Sequence, residues 1–224
     1  MKKLTLLLLF SCAILFSQET VVTKLGDFTT LKVFSGLKIK LQKSDIARVE
    51  LSGSKADQVS IKNKNGTLKI SLNLLEGFNY DDVNIVLYYS NSMDVIDVNE
   101  GSYITSDELL KQQHLELRAQ EGAQIKLDLK IKYLTVKTVS GGIIDVTGAT
   151  QNQTVEATTG GIYLAFDLES VQARISSSSG AKVNVYATEM LDAKVNFGGS
   201  IYYKGKPEEL ITKKVIGGTI KNRN

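Results

Sequence analysis

Hydrophobic and polar residues alternate on both sides of a small-residue corner that returns along the second half of the chain. Counted from the first glycine of each corner, the residues three and five positions away are mostly apolar. Around Gly141 they include Val136, Ile144 and Val146. A period of two residues is typical of strands that bury one face. The pattern therefore predicts two short strands that meet at each glycine bend.

The corners recur at a nearly constant spacing along this part of the chain. A fixed period of this size is typical of a solenoid. We therefore predict an all-β fold, a single-stranded parallel β-helix of ~19-residue rungs with a less regular N-terminal β cap. The glycines to which we assign a structural turn role are Gly101, Gly122, Gly141, Gly160, Gly180, Gly198 and Gly217.

Glycine at a bend that is repeated in every rung has a conformational explanation. Such a bend needs either a positive φ or a close approach between backbones, and glycine allows both without a Cβ penalty. Stacking of the rungs in parallel register would also bring opposite charges side by side, which stabilises neighbouring strands. The expected pairs are Asp97 with Arg118, Lys126 with Asp145 and Lys137 with Glu156.

The front part of the chain is less regular, and this is why a cap is expected there. Asn65-Gly66 lies between two alternating stretches and predicts a β-hairpin. A loop is expected at 73–82. The spacing from Gly101 to Gly122 is longer than the later ones and suggests a short helical or irregular insertion at 107–113. The last rung is the most polar, as expected of a capping repeat.

The N-terminus has the pattern of a secretory signal peptide, because Lys2 and Lys3 precede an apolar run that ends near Ser17. We expect a signal peptide at 1–17, an N-terminal lead at 18–27 and one β-helix domain at 28–224, with no transmembrane segment after signal removal. Cys12, the only cysteine, lies inside the leader. A weak similarity to a lipoprotein acylation site leaves lipidation there as an alternative.

The charge of the mature chain is close to neutral. Loss of Lys2 and Lys3 reduces the 27 basic residues to 25, against 24 acidic residues. The two signs are interspersed rather than grouped in blocks. This composition argues against nucleic acid or an anionic membrane as the main partner.

Several segments together resemble a known family, the putative auto-transporter adhesin head GIN domain of exported bacterial proteins. These segments are 28–41 (FTTLKVFSGLKIKL), 65–70 (NGTLKI), the repeated Ser/Thr-Gly-Gly or Ser-Gly-Ala corners, and 202–207 (YYKGKP). The resemblance covers about 28–222. It implies a β-helical protein that is periplasmic, outer-membrane-associated or secreted, with an adhesive role and no catalytic residue to carry over.

Candidate chemistry is sparse in this sequence. Glu100 and Glu121 occupy the same position in adjacent rungs, so they are weak candidates for a Ca²⁺ or sugar-hydroxyl site, with a solvated acidic edge as the alternative. His114 is the only histidine and has no triad partner at a recognisable spacing, so we expect an ordinary surface residue. We expect no cofactor and no catalytic site.

Adjacent tyrosines at 88–89 and 202–203 should each place one ring outward, where it could stack on a sugar or simply cover the sheet. Altogether, the sequence predicts an exported, non-enzymatic, adhesin-like module of the bacterial cell envelope that presents a rigid face to protein or glycan. One alternative is a periplasmic structural or self-associating protein. The other is a polysaccharide-active β-helix enzyme, which would need converging carboxylates in a walled groove.

Overall fold

The computed structural model describes residues 20–73 and 83–224, which form one continuous sheet of sixteen strands without an α-helix. The expected signal peptide, Cys12 and nearly all of the expected 73–82 loop lie outside the described residues. In chain order the strands are β1 (Val21–Lys24), β2 (Thr30–Val33), β3 (Lys38–Lys43), β4 (Arg48–Ser52), β5 (Val59–Lys64), β6 (Thr67–Leu72), β7 (Asn84–Tyr89), β8 (Val95–Val98), β9 (Tyr103–Ala119), β10 (Gln124–Thr138), β11 (Ile143–Ala157), β12 (Ile162–Ser178), β13 (Lys182–Asn196), β14 (Ser200–Lys204), β15 (Glu209–Lys214) and β16 (Thr219–Asn222).

The predicted solenoid is confirmed, because β9 to β13 stack in parallel, one rung on the next. The prediction of two short strands per rung was wrong, since each of these rungs is a single strand of 15 or 17 residues. The strands bend without ending. In β10, Lys132 and Tyr133 are both exposed between buried Ile131 and Leu134, so the alternation changes phase at that point.

The corners explain the glycine column. Glu121 and Gly122 have φ values of 54° and 73°, as in a type I′ turn. A Cβ on Gly122 would meet nothing within 4 Å, so this position needs glycine for its positive φ. The second glycine of a Gly-Gly corner differs, because a Cβ on Gly142 would lie 2.1 Å from the carbonyl oxygen of Ala119. Both expected reasons for glycine apply, but at different positions.

The register of the long strands is the one expected from the charges. Directly opposite partners are Asp97 and Arg118, Lys126 and Asp145, and Lys137 and Glu156. The corners also join rung to rung, since the amide of Gly122 donates to the carbonyl oxygen of Ser140 at 3.1 Å. The backbone ladder therefore continues from the strands into the turns.

The N-terminal cap mixes parallel and antiparallel pairing. β6 and β7 stack in parallel on β2 and β3, whereas β5 runs antiparallel to β6, β4 to β7 and β1 to β4. The predicted hairpin at Asn65 and Gly66 is confirmed, with φ values of 51° and 74°. The antiparallel strands thus end the regular ladder at this side of the solenoid.

The expected insertion at 107–113 is not helical. It belongs to β9, where the two additional residues form a bulge between the partner pairs Thr105–Lys126 and Leu109–Asp128. The Ser106 hydroxyl holds the bulge by accepting a hydrogen bond from the amide of Glu108 at 3.1 Å. The strand therefore absorbs the longer spacing without leaving the sheet.

The last rung has the polar character that was expected. Thr212 and Lys214 stack beneath the buried Ala193 and Val195, yet all six residues of β15 are exposed. In the described part of the chain, β15 pairs only with β13, so its outer edge is open.

The core is a set of aliphatic columns that also holds a buried polar network around Tyr163. Tyr163 is fully buried, and its hydroxyl donates to Gln153 Oε1 at 3.0 Å. Gln153 Nε2 donates in turn to the hydroxyl of Ser170 at 2.8 Å. Burial raises the pKa of Tyr163, so the phenol stays protonated and remains a donor.

Candidate binding surfaces

The basic groove lies on the bent middle of the rungs. It has a volume of about 520 Å³ and is lined by Lys111, Gln112, Gln113, Lys130, Ile131, Lys132 and Gln151. Lys111 on β9 lies directly opposite Lys130 on β10. Among the described residues, none of the three lysines has a carboxylate within 4 Å. The groove therefore combines uncompensated positive charge with side-chain amides.

An aromatic pair borders the basic groove. The rings of His114 and Tyr133 stack with centroids 4.9 Å apart and planes inclined by 18°. Tyr133 is 42% exposed, and Lys132 Nζ lies 5.3 Å from the centroid of its ring. His114 is thus an exposed residue in a ring stack, a contact that the sequence analysis missed. The stack could have been predicted from the sequence, because both residues lie eight positions before a corner glycine.

The ion-paired cluster, which consists of Glu116, Arg118 and Lys137, lies further along the same two strands. Glu116 accepts hydrogen bonds from Arg118 at 2.9 Å and 3.0 Å, and Lys137 Nζ lies 3.0 Å from the same carboxylate. The hydrogen bond from Arg118 is the main reason that the pKa of Glu116 lies below its ordinary value, and partial burial opposes it. In this cluster the charges compensate one another.

The tyrosine pairs divide as expected, with one ring of each pair directed outward. Tyr89 is buried, whereas Tyr88 lies under Arg48, whose guanidinium carbon is 3.5 Å from the ring centroid. Tyr203 packs against the core, and Tyr202 lies 4.7 Å from the guanidinium of Arg223. A cation thus lies over each outward ring, as Lys132 lies over the ring of Tyr133.

The two candidate carboxylates at Glu100 and Glu121 lie in adjacent corners. The amide of Gly101 donates to the carbonyl oxygen of Glu121 at 2.9 Å. The carboxylate of Glu100 points toward the preceding rung, where it accepts a hydrogen bond from the amide of Ser35 at 3.0 Å. In residues 20–73 and 83–224, no group of three or more Asp, Glu, His or Cys side chains is arranged to hold a metal ion. The structure thus brings the two corners together but adds no third ligand.

A second groove, of about 340 Å³, is acidic, with Asp107, Asp128 and Asp145 among its lining residues. Asp107 forms an ion pair with Lys40, and Asp128 accepts a hydrogen bond from Thr147 at 3.1 Å. The enzyme alternative requires converging carboxylates in such a groove. Two of the three are already engaged by neighbouring side chains.

An apolar strip lies on the outer face of the arms that follow the corners. It consists of Ile143, Ile162, Leu164 and Phe166, all only partly exposed. Ile143 lies directly opposite Ile162, and Lys204 Nζ is 4.8 Å from the ring of Phe166. Residues 20–73 and 83–224 contain no helix long and apolar enough to cross a membrane.

Solved structures of bacterial proteins share this architecture. A putative adhesin from Bacteroides fragilis NCTC 9343 is 21% identical, with a TM-score of 0.85 over 93% of this chain and 98% of that one. A putative adhesin from Parabacteroides distasonis ATCC 8503 is 19% identical, with a TM-score of 0.75 over 92% and 97%. A putative lipid binding protein from the same strain is 20% identical, with a TM-score of 0.71 over 92% and 97%. The TM-scores show that these proteins and this chain share a fold.

No functionally curated protein matches the sequence. The family model described as "Putative auto-transporter adhesin, head GIN domain" matches residues 27–207. This range includes the strands from β2 to β14. The chain therefore belongs to the family that carries this description, the head GIN domain family.

Proposed function

We propose that this chain is an exported, non-enzymatic binding module that presents a rigid β-solenoid surface to a glycan or protein at the bacterial cell envelope. The observation that carries the proposal is the basic groove with its stacked ring pair, which is an exposed polar and aromatic surface on an in-register sheet. Such a surface is fixed before binding, so little conformational entropy is lost on association. The adhesin-like family of the chain supports the same function.

The location is tested by protease digestion of intact cells that carry a tag after Asn224, with lysed cells as the control. Loss of the tagged protein from intact cells is the expected result, because an adhesin must be accessible from outside. Protection until lysis would contradict the adhesin proposal and would direct the search to periplasmic partners.

The absence of catalysis is part of the proposal and needs its own assay. We expect no decrease in the chain length of polygalacturonate or dextran sulfate after prolonged incubation with the protein. Two of the three carboxylates that line the acidic groove are engaged by Lys40 and Thr147. A decrease that is lost in Asp128→Asn would instead support the enzyme alternative.

A second candidate function, self-association, is favoured by the open C-terminal edge. Leu210, Ile211, Val215 and Ile216 are each 45% to 56% exposed near this edge. Unpaired strand edges with apolar side chains are sites of pairing between chains. Sedimentation velocity tests this function: a dimer that Ile211→Lys converts to a monomer would support it, whereas a wild-type monomer would contradict it.

A further inference from the structure

The basic groove lacks the opposite-charge pairing found at several other positions of the solenoid. Lys111 and Lys130 are directly opposite each other on adjacent strands, and like charges in that position repel. Lys126 lies opposite Asp145, and Lys137 opposite Glu156. Lysines also lie opposite each other at Lys62–Lys69 and Lys194–Lys213, so the groove is distinguished by the combination of such a pair with side-chain amides and an exposed ring.

The groove also provides three kinds of contact within a small area. Three lysine side chains supply positive charge, and Gln113 on β9 and Gln151 on β11 lie on the strands on either side of Lys132. The exposed ring of Tyr133, held against His114, supplies a flat apolar surface. Gln112 is fixed beneath them, because its amide nitrogen donates to the carbonyl oxygen of Met93 at 2.7 Å.

We propose that the basic groove is a binding subsite for an acidic polysaccharide. The lysines pair with carboxylate or sulfate groups, Gln113 and Gln151 bond to sugar hydroxyls, and the Tyr133 ring stacks on the face of a sugar. This assignment rests on the proposed binding function and names the chemical class of its ligand. Ligand charge relieves the repulsion between Lys111 and Lys130, so binding and stability are coupled.

The shape of the surface favours an extended chain that runs along the solenoid axis. The position of Tyr133 is occupied by Asn152 in the next rung and by Gln172 in the rung after that. Each rung adds one such side chain about 4.8 Å further along. An amide column of this kind matches a ligand with repeated hydroxyl groups, whereas a nucleic acid would be expected to need positive charge along its whole length.

Binding to dextran sulfate, polygalacturonate and neutral dextran tests the proposal, with calorimetry as the measurement. The wild-type protein should bind the two acidic polymers and not neutral dextran. The Lys111→Gln/Lys130→Gln/Lys132→Gln variant should bind at least about tenfold more weakly, since each lost charge pair has a modest effect. A matched control removes three exposed lysines from elsewhere, as Lys62→Gln/Lys64→Gln/Lys194→Gln, and should change the affinity by less than about twofold.

Retained affinity in the groove variant would overturn the proposal, as would an equal loss in the control variant, because binding would then follow total charge alone. Tyr133 gives a second measurement that leaves the charge unchanged. Tyr133→Ala should weaken binding about threefold to tenfold, and Tyr133→Phe should retain it, because stacking requires only the ring. Equal affinities of the two variants would exclude the stacking role.

Phosphatidylglycerol vesicles and polyphosphate test whether the groove prefers acidic polysaccharides to other anionic ligands. Groove-dependent binding of phosphatidylglycerol vesicles or polyphosphate that is as tight as that of the acidic polysaccharides would overturn the glycan assignment. Protease digestion on intact cells reports independently on the binding module. If the protein is digested there but binds no acidic polysaccharide, the groove assignment fails and the proposed surface function stands.

Discussion

Two groups of charges on the same pair of strands follow opposite rules. In the ion-paired cluster, Glu116 lies between two cations and contacts both within 3.0 Å. In the basic groove, only a few residues earlier on β9 and β10, Lys111 faces Lys130 with no carboxylate within ion-pair distance among the described residues. The two sites share the same strands and the same register, so only the side chains differ.

The difference separates what stabilises the solenoid from what remains available for a ligand. Compensated charges at adjacent rungs add to the stability of the stack. Uncompensated charges oppose it slightly and keep their capacity to bind an anion. The following substitutions test whether the two sites differ in this way.

The largest effect is expected from Glu116→Lys, which places three cations side by side in the ion-paired cluster. Two ion pairs are lost and new repulsion is added, so the free energy of unfolding should fall by about 2 kcal/mol. Urea denaturation at neutral pH measures it. Glu189→Lys, at an exposed position on β13, is the control, and an equal loss of stability in that variant would show that the effect follows total charge.

Glu116→Gln should reduce the free energy of unfolding by about 1 kcal/mol at pH 7, in a pH-dependent manner. Arg118 holds the pKa of Glu116 below its ordinary value of 4.5 in the folded state. The contribution of the carboxylate is therefore fully present above pH 4.5 and is lost as the pH falls through the lowered pKa. Denaturation midpoints of both proteins at several pH values should converge in acid. A constant difference down to pH 2 would show that the charge is not responsible.

Removal of one lysine from each site should have effects of opposite sign. Lys130→Gln should raise the free energy of unfolding by about 0.2–1 kcal/mol, because it relieves the repulsion by Lys111. Lys137→Gln should lower it by a similar amount, because it loses the contact with Glu116. Both variants have the same net charge, so each is the control for the other in thermal denaturation at low salt. Changes of the same sign would contradict the comparison.

The smallest effect is expected from Tyr133→Ala, which removes the ring that stacks on His114. The pair is exposed, so the free energy of unfolding should change by no more than about 0.5 kcal/mol. His114 is the only histidine, and its ring protons should shift downfield in NMR spectra when the Tyr133 ring is lost. Unchanged histidine signals would show that the rings do not stack in solution.

The sequence predicted the features that depend on the repeat. Seven glycines at a nearly constant spacing indicate the solenoid, and alternation around each glycine gives the inward and outward positions. The register between adjacent rungs was also predicted from this spacing. Lys137 and Glu156, for example, lie directly opposite each other as expected. These features were predictable because each rung repeats the same local geometry.

The basic groove was not predicted, because it lies in the middle of the rungs. Ile104 pairs with Ile125 before the bulge in β9 and His114 pairs with Tyr133 after it, so the bulge shortens the offset between partners. Positions counted forward from Gly101 therefore do not match their β10 partners after the bulge. Positions counted backward from Gly122 do match them, because the bulge is not crossed. The continuous long strands were missed for a related reason, since a bend inside a strand has no glycine at a constant position.

The hydrogen bonds between rungs have a mechanical consequence when the two ends of the solenoid are pulled apart. They run along the solenoid axis, so tension between the two ends loads every interface between rungs in series. The interface that yields first is then the weakest one. The C-terminal rung consists of β15 and β16, which have six and four residues, whereas each central strand has 15 or 17. The N-terminal end has short strands as well, since β2 and β3 have four and six residues. Under tension the end rungs should therefore separate first, while the basic groove on β9 to β11 stays intact.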